Sequence, residues 1–304
     1  MTEEEINKKA LQDSINNFKE RQLNADIPEN RAKLAASAVA PSNSYDANSY
    51  QQKMMQETDP DLVVGSEVIK LPSGGMFYQN NLSELLVEYL TSTDEDILTT
   101  PSLIENGTVL DVIMKRKIKT HNVNVDDLLS GDKEAITLFL RTSSYGHEYK
   151  VDVYDPRTGI PFKDTVDLRK LRYKEIKEFP DASGLFMVEL PMRKKLVKFK
   201  LLKSSEETLL SKKAEGMKDA YNTDYSQYNS LKLKAHVVEV NGRTDRSYID
   251  RFIDAMPALD ALTIRRKIKE VAPGVDMAYE FTAKDGFKFT ANLSVGVDFF
   301  FPST

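Results

Sequence analysis

The residues from which a reaction centre could be assembled are few. The chain has three histidines, His121, His147 and His236, and no cysteine. Thiolate metal sites, disulfides and a cysteine nucleophile are therefore excluded. The histidines fall in an expected loop, turn and strand, with no metal-ligand spacing among them. The acidic run Asp94-Glu95-Asp96 has the composition of a cation site, but it opens an expected helix, where the N-terminal dipole favours carboxylates without any ion. Gly74-Gly75 is followed by Met76-Phe77-Tyr78 and lacks the Lys-Ser/Thr pair and helix of a phosphate loop. No dinucleotide fingerprint or nucleophile elbow is present. The expected chemistry is that of binding, with no catalytic residue, no metal and no cofactor.

Charge narrows the class of partner. Over 304 residues the net charge is -5, so the general attraction to phosphate that drives nucleic-acid binding is missing from the chain as a whole. One basic run, Arg193-Lys194-Lys195 with Lys198, Lys200 and Lys203, interleaves with Leu196, Val197, Phe199 and Leu201, which places its charges on the wet face of a half-buried strand. The other, Arg265-Arg266-Lys267 with Lys269, lies on a helix. Both read as the charged rim of a protein-protein interface rather than a nucleic-acid site. No apolar run approaches the roughly 20 residues that span a bilayer. The chain begins with charge instead of a signal peptide, so a soluble protein made in a cytoplasm is expected.

The elements that would carry such surfaces are organised by a stretch that occurs nearly twice. In 87–98 and again in 198–210 a strand-like run ends at a leucine (Leu90, Leu202), and a serine stands three residues before a glutamate. Ser92 with Glu95, and Ser204 with Glu207, are candidate capping boxes that fix a strand-to-helix corner. Each is preceded by Leu-Pro, at Leu71-Pro72 and Leu190-Pro191. An internal duplication with a period of roughly 110 residues follows, far longer than a solenoid repeat.

The first half carries expected helices over 108–118 and 132–141, then a hairpin from 149–154 and 162–168 turning at Gly159. The second carries an expected strand over 231–240 ended by Asn241-Gly242, helices over 245–254 and 260–271, and a hairpin from 277–281 and 287–293 turning at Gly286. The expected fold is α+β, in two homologous tandem halves, 62–180 and 181–304, after an extended N-terminal arm and linker, 1–61. In that arm Ile6, Leu11, Ile15 and Phe18 form a thin apolar stripe, read either as a frayed amphipathic tail or as an arm docking on a neighbouring subunit. Near the C-terminus Phe299, Phe300 and Phe301 must dock, on the protein's own sheet or on a partner.

In order along the chain, Leu71-Pro-Ser-Gly-Gly-Met-Phe-Tyr78, Leu90-Thr-Ser-Thr-Asp-Glu-Asp-Ile-Leu98, Asn106-Gly-Thr-Val-Leu110, Asp126-Asp-Leu-Leu-Ser-Gly-Asp132 and Ser144-Tyr-Gly-His-Glu-Tyr149 resemble the T-even-type bacteriophage baseplate hub proteins. The likeness continues through Val240-Asn-Gly242, Met256-Pro-Ala-Leu-Asp260, Pro273-Gly-Val-Asp276 and Phe300-Phe-Pro302, and so covers 62–302. The resemblance implies a non-enzymatic part of a contractile tail that helps build the central hub, as a virion subunit or as a transient assembly factor. It implies other phage baseplate and tail proteins as partners, an oligomeric setting, and a place in the virion after synthesis in the host cytoplasm. A tail-associated cell-wall hydrolase is the more distant alternative. Relatives in this family often carry a Cys-Pro-x-Cys-Gly-like zinc knuckle at the hairpin turns. Here those turns read Asp155-Pro-Arg-Thr-Gly159 and Ala283-Lys-Asp-Gly286, so zinc does not carry over, and direct packing of the hairpins is expected in its place.

Overall fold

The computed structural model describes residues 63–78, 81–221, 226–293 and 296–301. The expected arm and linker, including Ile6, Leu11, Ile15 and Phe18, lie outside the described residues. The fold is α+β, built of helices and small antiparallel sheets. The chain forms two compact units, one from Ile176–Ala272 and one from the described residues of Asn43–Glu175 with Pro273–Thr304. We call them the inserted and the composite unit.

The composite unit begins with β1 (Ser66–Lys70) and β2 (Glu84–Glu88), paired with Val68 opposite Leu86. Leu85, Leu86 and Val87 are all buried, so β2 is a core strand. Four helices follow: α1 (Ser92–Leu98), α2 (Pro101–Glu105), α3 (Val109–Lys117) and α4 (Ser130–Tyr145). Ile113, Ile136 and Leu140 close a core on Leu85 and Val87. Then come the hairpin β3 (Glu148–Tyr154) and β4 (Pro161–Asp167), and the short β5 (Arg172–Tyr173).

In the inserted unit β6 (Phe186–Glu189) and β7 (Leu196–Phe199) precede α5 (Ser204–Tyr221), α6 (Tyr228–His236), β8 (Val237–Val240), α7 (Arg246–Asp254) and α8 (Ala258–Val271). β7 lies between β6 and β8 in one three-stranded sheet. The strand expected over 231–240 is a helix as far as His236. Its first half, Leu231-Lys-Leu-Lys-Ala-His236, is rich in strong helix formers, and only the branched run Val237-Val238 onward favours a strand.

The chain then returns to the composite unit with β9 (Val275–Asp276), which pairs with β5, and the hairpin β10 (Ala278–Thr282) and β11 (Lys288–Asn292). The second compact unit therefore differs from a contiguous 181–304, because the last hairpin belongs with the first half. The reason is apolar burial: Phe281, Leu293 and Phe299 share one cluster with Val153, Val166 and Leu168. Arg141 closes the arrangement. Fully buried, it donates from Nε to the Phe299 carbonyl at 2.8 Å and from its two terminal nitrogens to the carbonyls of Gly146 and Glu148 at 2.7 and 3.0 Å. Burial lowers its pKa, and the nearby tyrosines Tyr149 and Tyr145 oppose the shift.

Each unit has a turn after a Leu-Pro pair, and each turn is held by a buried aspartate at the third residue of a helix. In the composite unit Ser73 N–H donates to Asp132 Oδ1 at 2.9 Å, and the Tyr78 hydroxyl donates to Oδ2 while accepting from Leu129 N–H at 2.9 Å. Burial raises the Asp132 pKa against these bonds. Burial and the adjacent carboxylate push the Tyr78 hydroxyl well up, so it stays a proton donor. In the inserted unit the N–H groups of Met192 and Arg193 donate to Asp260 at 2.8 and 3.2 Å.

The two sites differ at the second helical residue. In α4 it is Gly131, where a Cβ would sit 2.0 Å from the Pro273 carbonyl oxygen; in α8 it is Leu259, which is exposed. Gly131→Ala is expected to cost about 2 kcal/mol or more by forcing backbone apart, whereas Leu259→Ala should stay within about 0.5 kcal/mol. Urea unfolding of both variants checks this; equal losses would show that the close approach is unimportant.

Candidate functional site

The two hairpins of the composite unit bring their turns together. Gly159 N–H donates to the Asp155 carbonyl at 2.8 Å, and Ala283 N–H to the Phe287 carbonyl at 2.8 Å. Gly159 and Gly286 adopt φ of 68° and 86°, a region that residues with a side chain enter at a cost. Behind the turns, Phe162 meets Phe289 edge-on at 6.2 Å. Between the tips Arg157 donates to Asp155 Oδ2 and to Asp285 Oδ2, both at 2.8 Å, with its guanidinium 3.7 Å from the centroid of Phe287. Hydrogen bonding to Arg157 holds both carboxyls below the usual range and raises the guanidinium in turn. Thiolates are absent from both turns, and a cation of the protein's own stands between the carboxylates. A structural zinc does not fit, and among the described residues no group of three or more His, Cys, Asp or Glu could hold a metal ion.

On this stiffened tip Tyr154 is 64% exposed, Ile160 62% and Phe287 37%. Aromatic and aliphatic side chains held out on a rigid support beside an arginine have the make-up of an interface anchor. The sequence reading missed Tyr154 and Ile160. The signal was present: Tyr154 stands one residue beyond the inward Val153, and Ile160 follows the turn glycine, so strand alternation sends Tyr154 outward.

The expected caps form one residue earlier than the serine-glutamate pairs suggest. At α1 the carboxylate that reaches back is Asp94, accepting at Oδ2 from the Thr91 N–H and hydroxyl, each at 2.8 Å. Glu95 instead accepts from the Tyr145 hydroxyl at 2.8 Å, and Ser92 is merely the first helical residue. At α5 Glu206 accepts from Lys203 N–H at 2.9 Å, while Glu207 pairs with Lys232 at 2.6 Å and Ser204, buried, is the first helical residue. In α1 the shift follows from where the extended backbone ends, at Thr91 (φ -119°, ψ 168°). Phe299 and Phe300 are buried in the unit's own clusters, which removes them as partner contacts; Phe301 is exposed.

Of the acidic run Asp94-Glu95-Asp96, only Asp94 is buried; it lies against Lys117 at 2.6 Å and also meets Arg116 at 2.8 Å. Burial alone would raise its pKa. The bonds from Lys117 and Thr91 outweigh burial and hold it below the ordinary value. His236 is buried at the end of α6 with Nδ1 2.7 Å from the Lys200 carbonyl oxygen, and Nε2 has no hydrogen-bond partner among the described residues. His147 is half-buried before β3 and His121 exposed in a turn, so the three imidazoles remain apart. Of the basic runs, Lys198 pairs with Glu239, Lys200 with Glu206 and Lys267 with Glu178, and Arg193 stacks over Phe252 at 4.7 Å. Lys194, Lys195, Arg265, Arg266 and Lys269 are exposed. Among the described residues no helix is long and apolar enough to cross a membrane.

Comparison of the chain with models of known families, with curated proteins and with solved structures finds no match in any of the three.

Asp94→Asn strands the Lys117 ammonium in the core and is expected to cost about 3–5 kcal/mol, read from denaturant midpoints; a change below about 1 kcal/mol would mean that Lys117 escapes to water. His236 gives a pH signature. Burial, opposed by the Lys200 carbonyl and reinforced by Lys232, lowers its folded pKa below 6.5, with Glu206 and Glu207 acting weakly upward. The unfolded chain then takes up its proton first, so this stabilisation is complete above pH 6.5 and fades as pH falls through the folded value. Melting temperature of the native chain should fall between pH 7 and 5 more steeply than that of His236→Gln; parallel curves would contradict the assignment.

Proposed function

We propose that this chain is a structural component of a contractile-tail phage baseplate, belonging to its central hub, and that it binds other tail proteins during and after assembly without catalysing a reaction. The observation that carries this reading is where the hub-like motifs fall. Leu71-Pro72-Ser73 and Asp132 form one clasp, Asp260 of Met256-Pro-Ala-Leu-Asp260 forms the other, and Leu90 N–H donates to Ser144 Oγ at 2.9 Å, joining two further motifs. Phe300 of the last motif is a core residue. The resemblance thus rests on residues that set the framework, which is what likeness of fold requires; the function attached to it is carried by analogy.

The surfaces suit the role. A tip with Tyr154, Ile160 and Arg157 offers a rigid anchor to a neighbouring subunit, and the arm, 1–61, offers a segment of low apolar content that orders on binding. The partners are other baseplate and tail proteins in an oligomeric setting, and the protein ends in the virion after synthesis in the host cytoplasm.

Quantitative mass spectrometry of purified particles beside infected-cell lysate tests the proposal. A fixed ratio to other baseplate proteins in the particle is expected. Abundance in the lysate with absence from particles would make the chain a transient assembly factor, and release of peptidoglycan fragments by the purified protein would make it a cell-wall hydrolase. Ile160→Glu, at an exposed position, should reduce incorporation by about tenfold or more if the tip is a contact centre. Unchanged incorporation would remove the tip from the interface.

A further inference from the structure

The two clasps differ in what lies over them. In the composite unit an extended stretch crosses the start of α4 so closely that Gly131 leaves no room for a methyl group beneath Pro273, and Ser73 in the clasped turn is fully buried. In the inserted unit the corresponding side chains are exposed. Leu259, at the second position of α8, is 49% exposed, and Met192, whose N–H the Asp260 carboxylate holds, is 59% exposed. That carboxylate ties the backbone of Met192 to the start of α8, where Leu259 stands, and the residues after Met192 are Arg193, Lys194 and Lys195. Arg265 and Arg266 stand exposed farther along the same helix. Ile176–Ala272 carries 19 Lys and Arg against 14 Asp and Glu, so this unit is basic within an acidic chain.

What would cover it needs apolar side chains on one face and negative charge beside them. Such a stretch lies outside the described residues, at helical spacing in 2–18. Glu3-Glu4-Glu5 leads into Ile6, Ala10, Leu11, Ile15 and Phe18, an apolar stripe at helical spacing behind an acidic head. We propose that residues 2–18 of this chain dock on the face of their own inserted unit that Met192 and Leu259 expose, with the stripe on the two apolar side chains and Glu3-Glu4-Glu5 toward Arg193-Lys194-Lys195. The mode is that of an amphipathic helix laid on an apolar surface with a charged rim. Reach is no obstacle, because the 44 residues 19–62 can extend to about 150 Å. Tethering favours the chain's own segment, since a flexible connection gives an effective concentration of up to about a millimolar, above that of a second copy in dilute solution. The proposal does not depend on the phage reading.

The absence of cysteine gives a direct test on the full chain. Gln12→Cys is combined with Ala258→Cys, an exposed position beside Leu259, and in a control with Leu209→Cys, which is 69% exposed on α5 of the same unit. In dilute protein under mild oxidation, the intramolecular disulfide is expected about tenfold faster or more in the first pair than in the second. Adding Met192→Glu with Leu259→Glu should abolish that preference while cooperative unfolding is retained, since neither side chain belongs to a buried core. Equal rates in the two pairs, a preference that survives the glutamates, or disulfides formed only between chains would each overturn the proposal, the last in favour of a second copy's segment.

Discussion

A carboxylate buried at the third residue of a helix has to be satisfied by something, and in this fold that requirement fixes the junctions. Asp94, Asp132 and Asp260 each occupy that place and each is shut off from solvent. Removed from water, each would carry a large penalty if left without donors. Asp94 finds Thr91 and Lys117, Asp132 finds Ser73 and Tyr78, and Asp260 finds Met192 and Arg193. The donors come from turns or from another helix, so satisfying the charge also fixes where the helix starts relative to a distant part of the chain. The helix dipole favours the same arrangement. The exposed charged pairs, such as Lys288 with Glu280, contribute little by comparison.

The composite unit depends in addition on a cation without a carboxylate. Arg141 spends its donors on three carbonyls, one of them at Phe299, and so ties the last helix turn of the first half to the end of the chain. The hairpins joined behind it share apolar faces, and Arg157 links their turns. In place of the thiolates of a metal knuckle, these turns use guanidinium, carboxylate and an aromatic ring.

Much of this architecture was legible from residue types. Alternation located both hairpins to within about a residue, because their inward positions are apolar and their turns contain glycine. The helices over 108–118 and 245–254 were read from periodicity, and the importance of the Leu-Pro turns from their recurrence. What escaped was non-local. The partners of Asp132 and Asp260 lie 59 and 68 residues away, and no local pattern pairs them. The serine-glutamate spacing drew the caps one residue late because Thr91 and Asp94 satisfy the same rule with different residue types. The alternating leucines of 231–236 match a strand period, but helix propensity prevails there. The exchange of the last hairpin to the first half could not be read from sequence order, which carries no information about which of two apolar faces a hairpin will choose.

That exchange has a consequence for synthesis. A ribosome delivers the chain from its N-terminus, and the composite unit draws its final hairpin and Phe299 from residues made after the whole of Ile176–Ala272. Ile176–Ala272 is contiguous and can close as soon as it emerges, whereas strands and helices made earlier must wait, with one apolar side of β3 and β4 uncovered, until β10, β11 and Phe299 have been made. The composite unit starts before the inserted one and finishes after it, and a chain cut short before Pro273 would lose the integrity of the composite unit while keeping Ile176–Ala272 intact.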